Sequence, residues 1–332
     1  MLIRTILSLL TCVLLAGCKR KDAPAAVQTS AATVSSNVPV PVVTNPVSQP
    51  PPLTNPPPIT NRPVAVQAMT NYPASDLYER GVAILKRKAS DEEMKEALDL
   101  FRKAADAGNP AAEHAVAVSY LEGLGVPKNE EEGMKWLNKA AADNFPEAQF
   151  KLASLYARGA GVKQDSTVAA EWAKKAAEQG HIEAEYNLAT LYAAGRGVPQ
   201  DPTNAANWFK KAAEGGHATA QSNLGVLYAN GKVFERNMAE AVNWWKKAAE
   251  QGQPSAQYNL AQALQDGKEV SQDLIEAYKW YSLAAEGGDR DAAALRNELA
   301  VKLSPAEVGE GLKRARDFKT AFLARNKESA EP

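Results

Sequence analysis

The chain has 332 residues, with 38 Lys and Arg against 39 Asp and Glu, a formal net charge of −1, three His and two Cys. A balance this close to neutral excludes the basic footprint that nucleic-acid binding requires. Cys12 and Cys18 are the only cysteines, so the chain beyond them offers no disulfide, no thiolate nucleophile and no cysteine-type zinc site.

At the N-terminus, Arg4 and the apolar run Ile6 to Leu15 read as the first two regions of an export signal. Leu15-Ala16-Gly17-Cys18 follows as a small-residue cleavage site ending in cysteine. The run is too short to span a bilayer comfortably, and residues 1–17 are expected to be removed. Those four residues resemble the bacterial lipobox, and the resemblance implies that Cys18 becomes the lipidated first residue of the mature chain. Several acyl chains on one residue anchor stably where one alone is marginal. Lys19 after the lipid site implies, by analogy with enteric sorting, an outer-membrane protein facing the periplasm. From Ala23 to Tyr72 the only charged side chain is Arg62, and prolines recur through Pro50-Pro51-Pro52 and Pro56-Pro57-Pro58. Such a stretch cannot pack a core, and residues 18–73 are expected to form a disordered, polyproline-like tether with a reach of up to ~150 Å.

Beyond it the chain repeats itself every 36 residues, in three columns: Trp136, Trp172, Trp208, Trp244, Trp280; Ala112, Ala148, Ala184, Ala220, Ala256, Ala292; and Gly108, Asn144, Gly180, Gly216, Gly252, Gly288. Counted from the column alanine, Ala184, Leu188, Leu191 and Tyr192 stand at i, i+4, i+7 and i+8, the spacing of one apolar helix face. Small residues at i+5 (Ala153, Ala189, Gly225, Ala261) let a neighbouring element approach. A second helix places Ala205, Trp208, Phe209 and Ala212 on one face, which reads as core. Glycine, or Asn144 in its place, supplies the left-handed residue that ends it. Between the two helices run Gly195-Arg196-Gly197-Val198 and its counterparts, closing on an Asp or Asn placed to cap the next helix. The loops at Val233-Phe234 and Glu269-Val270 depart from this pattern.

The composite Y-x-x-G-x-G-V-x-x-D, W-x-x-K-A-A-E-x-G and A-Q-x-N-L resembles the Sel-1-like repeat family, relatives of the tetratricopeptide repeats, over about Asp76 to Ala300. The resemblance implies an all-α, right-handed α-solenoid of about six 36-residue helix-turn-helix repeats, spanning residues 74–301. Ser304-Pro305-Ala306-Glu307 then reads as a capped helix start, opening a C-terminal capping helix through about Phe322 within residues 302–332.

No phosphate-binding loop, nucleophile elbow or zinc-protease motif occurs, so neither catalytic residues, cofactor nor metal is expected. His181 and His217 hold the same turn position in successive units, and His114 lies on a first helix, all read as surface or turn residues. Lys174-Lys175, Lys210-Lys211 and Lys246-Lys247 sit near helix C-termini with Glu178, Glu214 and Glu250 as partners. The expected function is a non-catalytic protein-interaction scaffold, lipid-anchored at the bacterial cell envelope, with a protein or peptide partner. A glycan-binding module of the wall or exopolysaccharide is the alternative, and a wall hydrolase a further one. In solenoids of the resembled kind the first helices line the concave face. The candidate groove is therefore formed by Phe150, Tyr186 and Tyr258 at i+2 with Lys151, Asn187, Asn223 and Asn259 at i+3.

Overall fold

The computed structural model describes residues 73–87 and 89–328. Cys18, the signal and the tether up to Tyr72 lie outside the described residues. Those described form fourteen α-helices and no strand. They are α1 (Ala74–Leu85), α2 (Asp91–Asp106), α3 (Pro110–Glu122), α4 (Glu130–Ala142), α5 (Pro146–Arg158), α6 (Ser166–Glu178) and α7 (Ile182–Ala194). Then follow α8 (Pro202–Glu214), α9 (Ala218–Asn230), α10 (Met238–Glu250), α11 (Pro254–Asp266), α12 (Leu274–Glu286), α13 (Arg290–Lys302) and α14 (Pro305–Glu328). From α1 to α13 each helix packs on its chain neighbours, odd-numbered helices opening a unit and even-numbered ones closing it, while α14 packs back on α12. This is an all-α solenoid of helix-turn-helix repeats.

The shared length of 13 residues from α3 to α13 follows from repeated punctuation. First helices end at Gly123, Gly159, Gly195, Gly231 and Gly267, all left-handed. Second helices start where Asn129, Asp165, Asp201, Asn237 and Asp273 accept hydrogen bonds from the first turn. They stop at a left-handed residue, and Asn144 is the one non-glycine in that conformation among the described residues (φ 67°). The second loop glycine has a further duty: at Gly197 (φ +73°) a Cβ would lie 1.9 Å from the Ser166 carbonyl oxygen of the preceding unit. Val233 and Glu269 replace that glycine in units 5 and 6 without adopting a positive φ. Both loops still close through the same bond, from Asn237 N–H to the Tyr228 carbonyl and from Asp273 N–H to the Leu264 carbonyl, each 3.0 Å. Arg236 and Glu269 join the two altered loops at 2.7 Å. Beside the first of them a surface pocket of about 640 Å³ lies between Lys210, Tyr228, Phe234, Glu240 and Trp244.

The core runs down the stack as matched columns. The column alanines from Ala112 to Ala292 are fully buried, with Leu152, Leu188, Leu224 and Leu260 beside them. Facing them on the second helices are Phe101, Leu137, Ala173, Phe209, Trp245 and Tyr281, all buried. Two of them press on a glycine at i+5: at Gly81 a Cβ would lie 2.6 Å from the Phe101 ring, and at Gly225 2.5 Å from the Trp245 indole. Alanine holds that position in other units, as at Ala117 beside Leu137 and Ala189 beside Phe209.

The tryptophan column differs from its reading as core. Trp136, Trp172, Trp208 and Trp244 are only half-buried. Lys175, Lys211 and Lys247 hold their ammonium groups 4.2, 4.0 and 4.0 Å from the indole centroids, with Lys139 at 5.1 Å over Trp136. The core column is one residue further on, because neighbouring helical positions differ by only about 100° and both fit a broad apolar arc. The second lysine of each pair thus serves the tryptophan one turn earlier, while the first is the one that reaches a glutamate, at Lys174–Glu178 (3.8 Å).

Trp280 alone in its column is buried, at 3 % exposure, because α14 lies over it. Ser304 and Glu307 form the reciprocal capping box that opens α14. Phe318 then meets Trp280 edge-on at 5.1 Å, Arg314 pairs with Glu276 at 3.3 Å and Lys319 with Glu286 at 2.6 Å. The helix runs on to Glu328, past the expected end at Phe322, whose ring packs over Gly252. Before it, α13 packs on α12 and buries Ala292 and Leu299.

Candidate partner-binding groove

The seven groove residues fall on one face of the first helices, all of them half-buried. Phe150 stacks on His181, which caps the first helix of the next unit (centroids 4.6 Å, planes 29° apart), and Tyr186 stacks on His217, which caps the one after (4.2 Å, 15°). Tyr258 meets Tyr281 edge-on at 6.0 Å. The rings of Phe150 and Tyr186 therefore help to hold a seam between units, that of Tyr258 packs within its own unit, and all three leave part of themselves in solvent. Lys151 pairs with Glu122 of the preceding unit at 3.7 Å. The side-chain amides of Asn187, Asn223 and Asn259, in contrast, make no hydrogen bond with the described residues. Three amides at one helical position in three successive units, each with both donors and an acceptor uncommitted, form a ladder.

The histidines carry more structure than their turn position suggests. Nδ1 of His181 accepts from Ala184 N–H (3.2 Å) and Nδ1 of His217 from Ala220 N–H (3.1 Å), so both cap the helices they precede. That role needs an unprotonated Nδ1. Burial holds His181 below the usual imidazole range. Nε2 of His217 then faces Glu183 at 3.3 Å. His114, over Phe145 at 5.5 Å, is pushed down to about 4 by burial and then by Lys151 and His181. It is neutral at physiological pH.

A buried polar column at i+1 escaped the reading of the sequence, although its 36-residue register is present there. Gln149, Gln221 and Gln257 donate to the carbonyls of Ala141, Ala213 and Ala249, at 3.1, 3.1 and 3.2 Å. Gln149 and Gln221 also accept from Gln179 and Gln251, both at 2.8 Å. Each of these two glutamines so joins the ends of successive second helices. Glu113 and Glu185 hold the same column. Glu113 is fully buried, bonds Lys139 through Oε1 and leaves Oε2 without a partner. Burial raises its carboxyl, opposed by Lys139 and reinforced by Asp143. A raised carboxyl favours folding at low pH and opposes it as pH climbs through the folded value, so the ionised form is a net cost at pH 7. Glu113→Gln is expected to raise stability at pH 7 by about 1 kcal/mol, through the donor that serves the other units and the removal of a buried charge. Urea denaturation at pH 7 checks this, and a lowered midpoint would show that the Lys139 pair outweighs both gains.

A stack of helix pairs repeating every 36 residues defines an α-solenoid repeat protein. The Sel1 repeat matches six times in succession, at residues 74–109, 110–145, 146–181, 182–217, 218–253 and 254–289. The chain belongs to the Sel1 repeat family. Such proteins are in general non-catalytic scaffolds for protein interaction. Among solved structures, the chain is similar to a protective antigen present in uropathogenic Escherichia coli strains, displaying an SLR fold. The identity is 29% and the TM-score 0.63, over 77% of this chain and 55% of that one. This chain thus spans about half the length of that antigen. It is also similar to a Sel1 repeat protein from Oxalobacter formigenes, with 29% identity and a TM-score of 0.59 over 72% of this chain and 96% of that one. No curated protein sequence matches it.

Proposed function

We propose that this protein is an envelope-anchored adaptor that holds an extended segment of a protein partner along its first helices. The observation that carries the reading is the ladder of uncommitted amides at Asn187, Asn223 and Asn259. An extended backbone offers N–H and C=O groups along its length, and an amide side chain can answer either. The half-buried rings of Phe150, Tyr186 and Tyr258 add rigid contact area at small entropic cost. The lipobox-like residues ending at Cys18 and the Pro-rich stretch after it support anchoring in the outer membrane on a long tether, with the solenoid in the periplasm. The glycan alternative loses ground because its best platforms, the tryptophan faces, are covered by lysines.

Partners are captured by crosslinking the protein in an extract of its own envelope, and binding is then measured for the identified partner. Asn187→Ala with Asn223→Ala is expected to weaken binding by about 1–2 kcal/mol. The melting temperature is expected to hold, since neither side chain bonds the protein. Partner binding as tight as wild type would exclude the ladder. Retention on wall polymer alone, with no protein captured, would favour the glycan module.

A further inference from the structure

The N-cap position of the first helices is filled differently along the stack. Asn109 accepts from Ala112 N–H at 3.0 Å and Asp289 from Ala292 N–H at 2.9 Å, while Phe145 and Gln253 make no side-chain cap bond. In two successive units at mid-stack the acceptor is an imidazole nitrogen, Nδ1 of His181 for α7 and Nδ1 of His217 for α9. An amide or a carboxylate accepts at any pH near neutrality, but an imidazole accepts at Nδ1 only in the tautomer that carries its proton on Nε2. Protonation puts a hydrogen on Nδ1, sets it against the helix N–H and abolishes the cap. Both rings also face the groove, His181 over Phe150 and His217 over Tyr186. The stacks survive protonation, since an imidazolium is attracted to an aromatic face. What fails is the first turn of each helix, and the turn after it carries Tyr186 and Asn187 in α7 and Asn223 in α9.

The charges around the two rings decide which form the fold prefers. Nε2 of His217 faces Glu183 of α7 at 3.3 Å and, in the neutral ring, donates to it. That hydrogen bond holds the Glu183 carboxyl below its usual range, so the partner stays ionised in weak acid. The Glu183 side chain is 61 % exposed against 12 % for His217, so water screens the pair and it returns little for a charge placed in the seam. Burial holds His181 below the usual 6.5 against the pull of the same Glu183, and His181 is electrostatically coupled to His114 on α3, itself held neutral. Among the described residues, no charged side chain of α5, α6, α8 or α10 bonds either ring. With the folded value of His181 below the unfolded one, the stability it supplies is complete above the unfolded value and is lost as pH falls beneath it towards the folded value.

We infer that His181 and His217 form an acid-sensitive catch: as neutral rings they pin the first turns of α7 and α9, and protonation at Nδ1 releases both turns and loosens the middle of the groove. That acid thereby weakens the hold on a bound segment rests on the groove reading, whereas the catch is a property of the free protein.

Amide hydrogen exchange of the 15N-labelled full chain, followed by NMR and corrected for the intrinsic pH dependence of exchange, reads each cap separately. From about pH 7.5 to about pH 5, protection at Ala184 and Ala220 is expected to fall about tenfold or more, while Ala112 under Asn109 and Ala292 under Asp289 keep theirs. The imidazole 15N shifts are expected to show the Nε2–H tautomer in both rings at the higher pH. His181→Asn with His217→Asn keeps an acceptor at each cap and removes the titration. In that variant protection at the two alanines is expected to stay level between the two pH values, whatever the loss of ring stacking does to overall stability. Unmoved protection in the wild type, an equal fall at Ala112 and Ala292, a fall that persists in the Asn variant, or the Nδ1–H tautomer at the higher pH would overturn the catch. For the captured partner, affinity is expected to drop between the same two pH values with the wild type and to hold with the Asn variant. Wild-type affinity indifferent to pH while Ala184 and Ala220 respond would sink the groove and leave the catch standing.

Discussion

Trp245→Ala is expected to destabilise the protein by about 3–5 kcal/mol, whereas Trp244→Ala, one residue earlier, is expected to cost about 1–2 kcal/mol. The Trp245 indole is 5 % exposed, fills the space that Gly225 leaves in α9 and donates Nε1–H to the Ser222 carbonyl at 3.2 Å. Its removal opens a cavity against a backbone with no side chain to collapse into it, and removes a second hydrogen bond from a helix carbonyl. Trp244 gives up the partial cover of a half-buried ring and one lysine contact at 4.0 Å. Unit 5 lies inside the stack, and repeats couple chiefly to their neighbours, so Trp245→Ala is also expected to broaden the transition. Chemical denaturation of both variants followed by circular dichroism decides the order. Equal losses would mean that the two columns share the core.

Gly197→Ala carries the second large effect, a loss of about 3 kcal/mol or more. A left-handed backbone costs about 1–2 kcal/mol for any residue with a Cβ. Here the added methyl would also stand 1.9 Å from the Ser166 carbonyl oxygen, a backbone atom at the start of α6. Either the loop withdraws from the preceding unit or the helix start shifts, and both loosen the seam between units 3 and 4. Gly180→Ala isolates the conformational part: its φ is +80° but a Cβ there meets nothing within 4 Å. It is expected to cost about 1–2 kcal/mol. Thermal unfolding of the two variants measures the difference, and similar midpoints would show that the loop yields easily. Val233 and Glu269 show how the chain manages without that glycine: the left-handed turn is abandoned there while the closing hydrogen bond is kept.

Much of this architecture was legible without coordinates because its causes are local. A helix stops where a residue without Cβ strain turns left-handed, and Gly180 or Asn144 announces that wherever it stands. Asp201 and Asn237 cap because a short acceptor reaches the first free N–H groups of its own helix. The capping box at Ser304 and Glu307 is read the same way. Repetition at 36 residues turned these local rules into a solenoid, since a unit that cannot bury its apolar face alone must stack on its copies.

The tertiary structure decided what depends on neighbours distant in the chain. Trp208 and Phe209 share an apolar arc, and only the approach of α7 makes Phe209 the buried one. Lysines read as helix-end charges lie over indoles, because the stack leaves those faces half open. Glu113 shows nothing in sequence of its full burial, which comes from the convergence of two helix ends upon it. Periodicity reports which way a side chain points from its own axis, while burial, charge pairing and the contents of a seam are set by the second helix that arrives there.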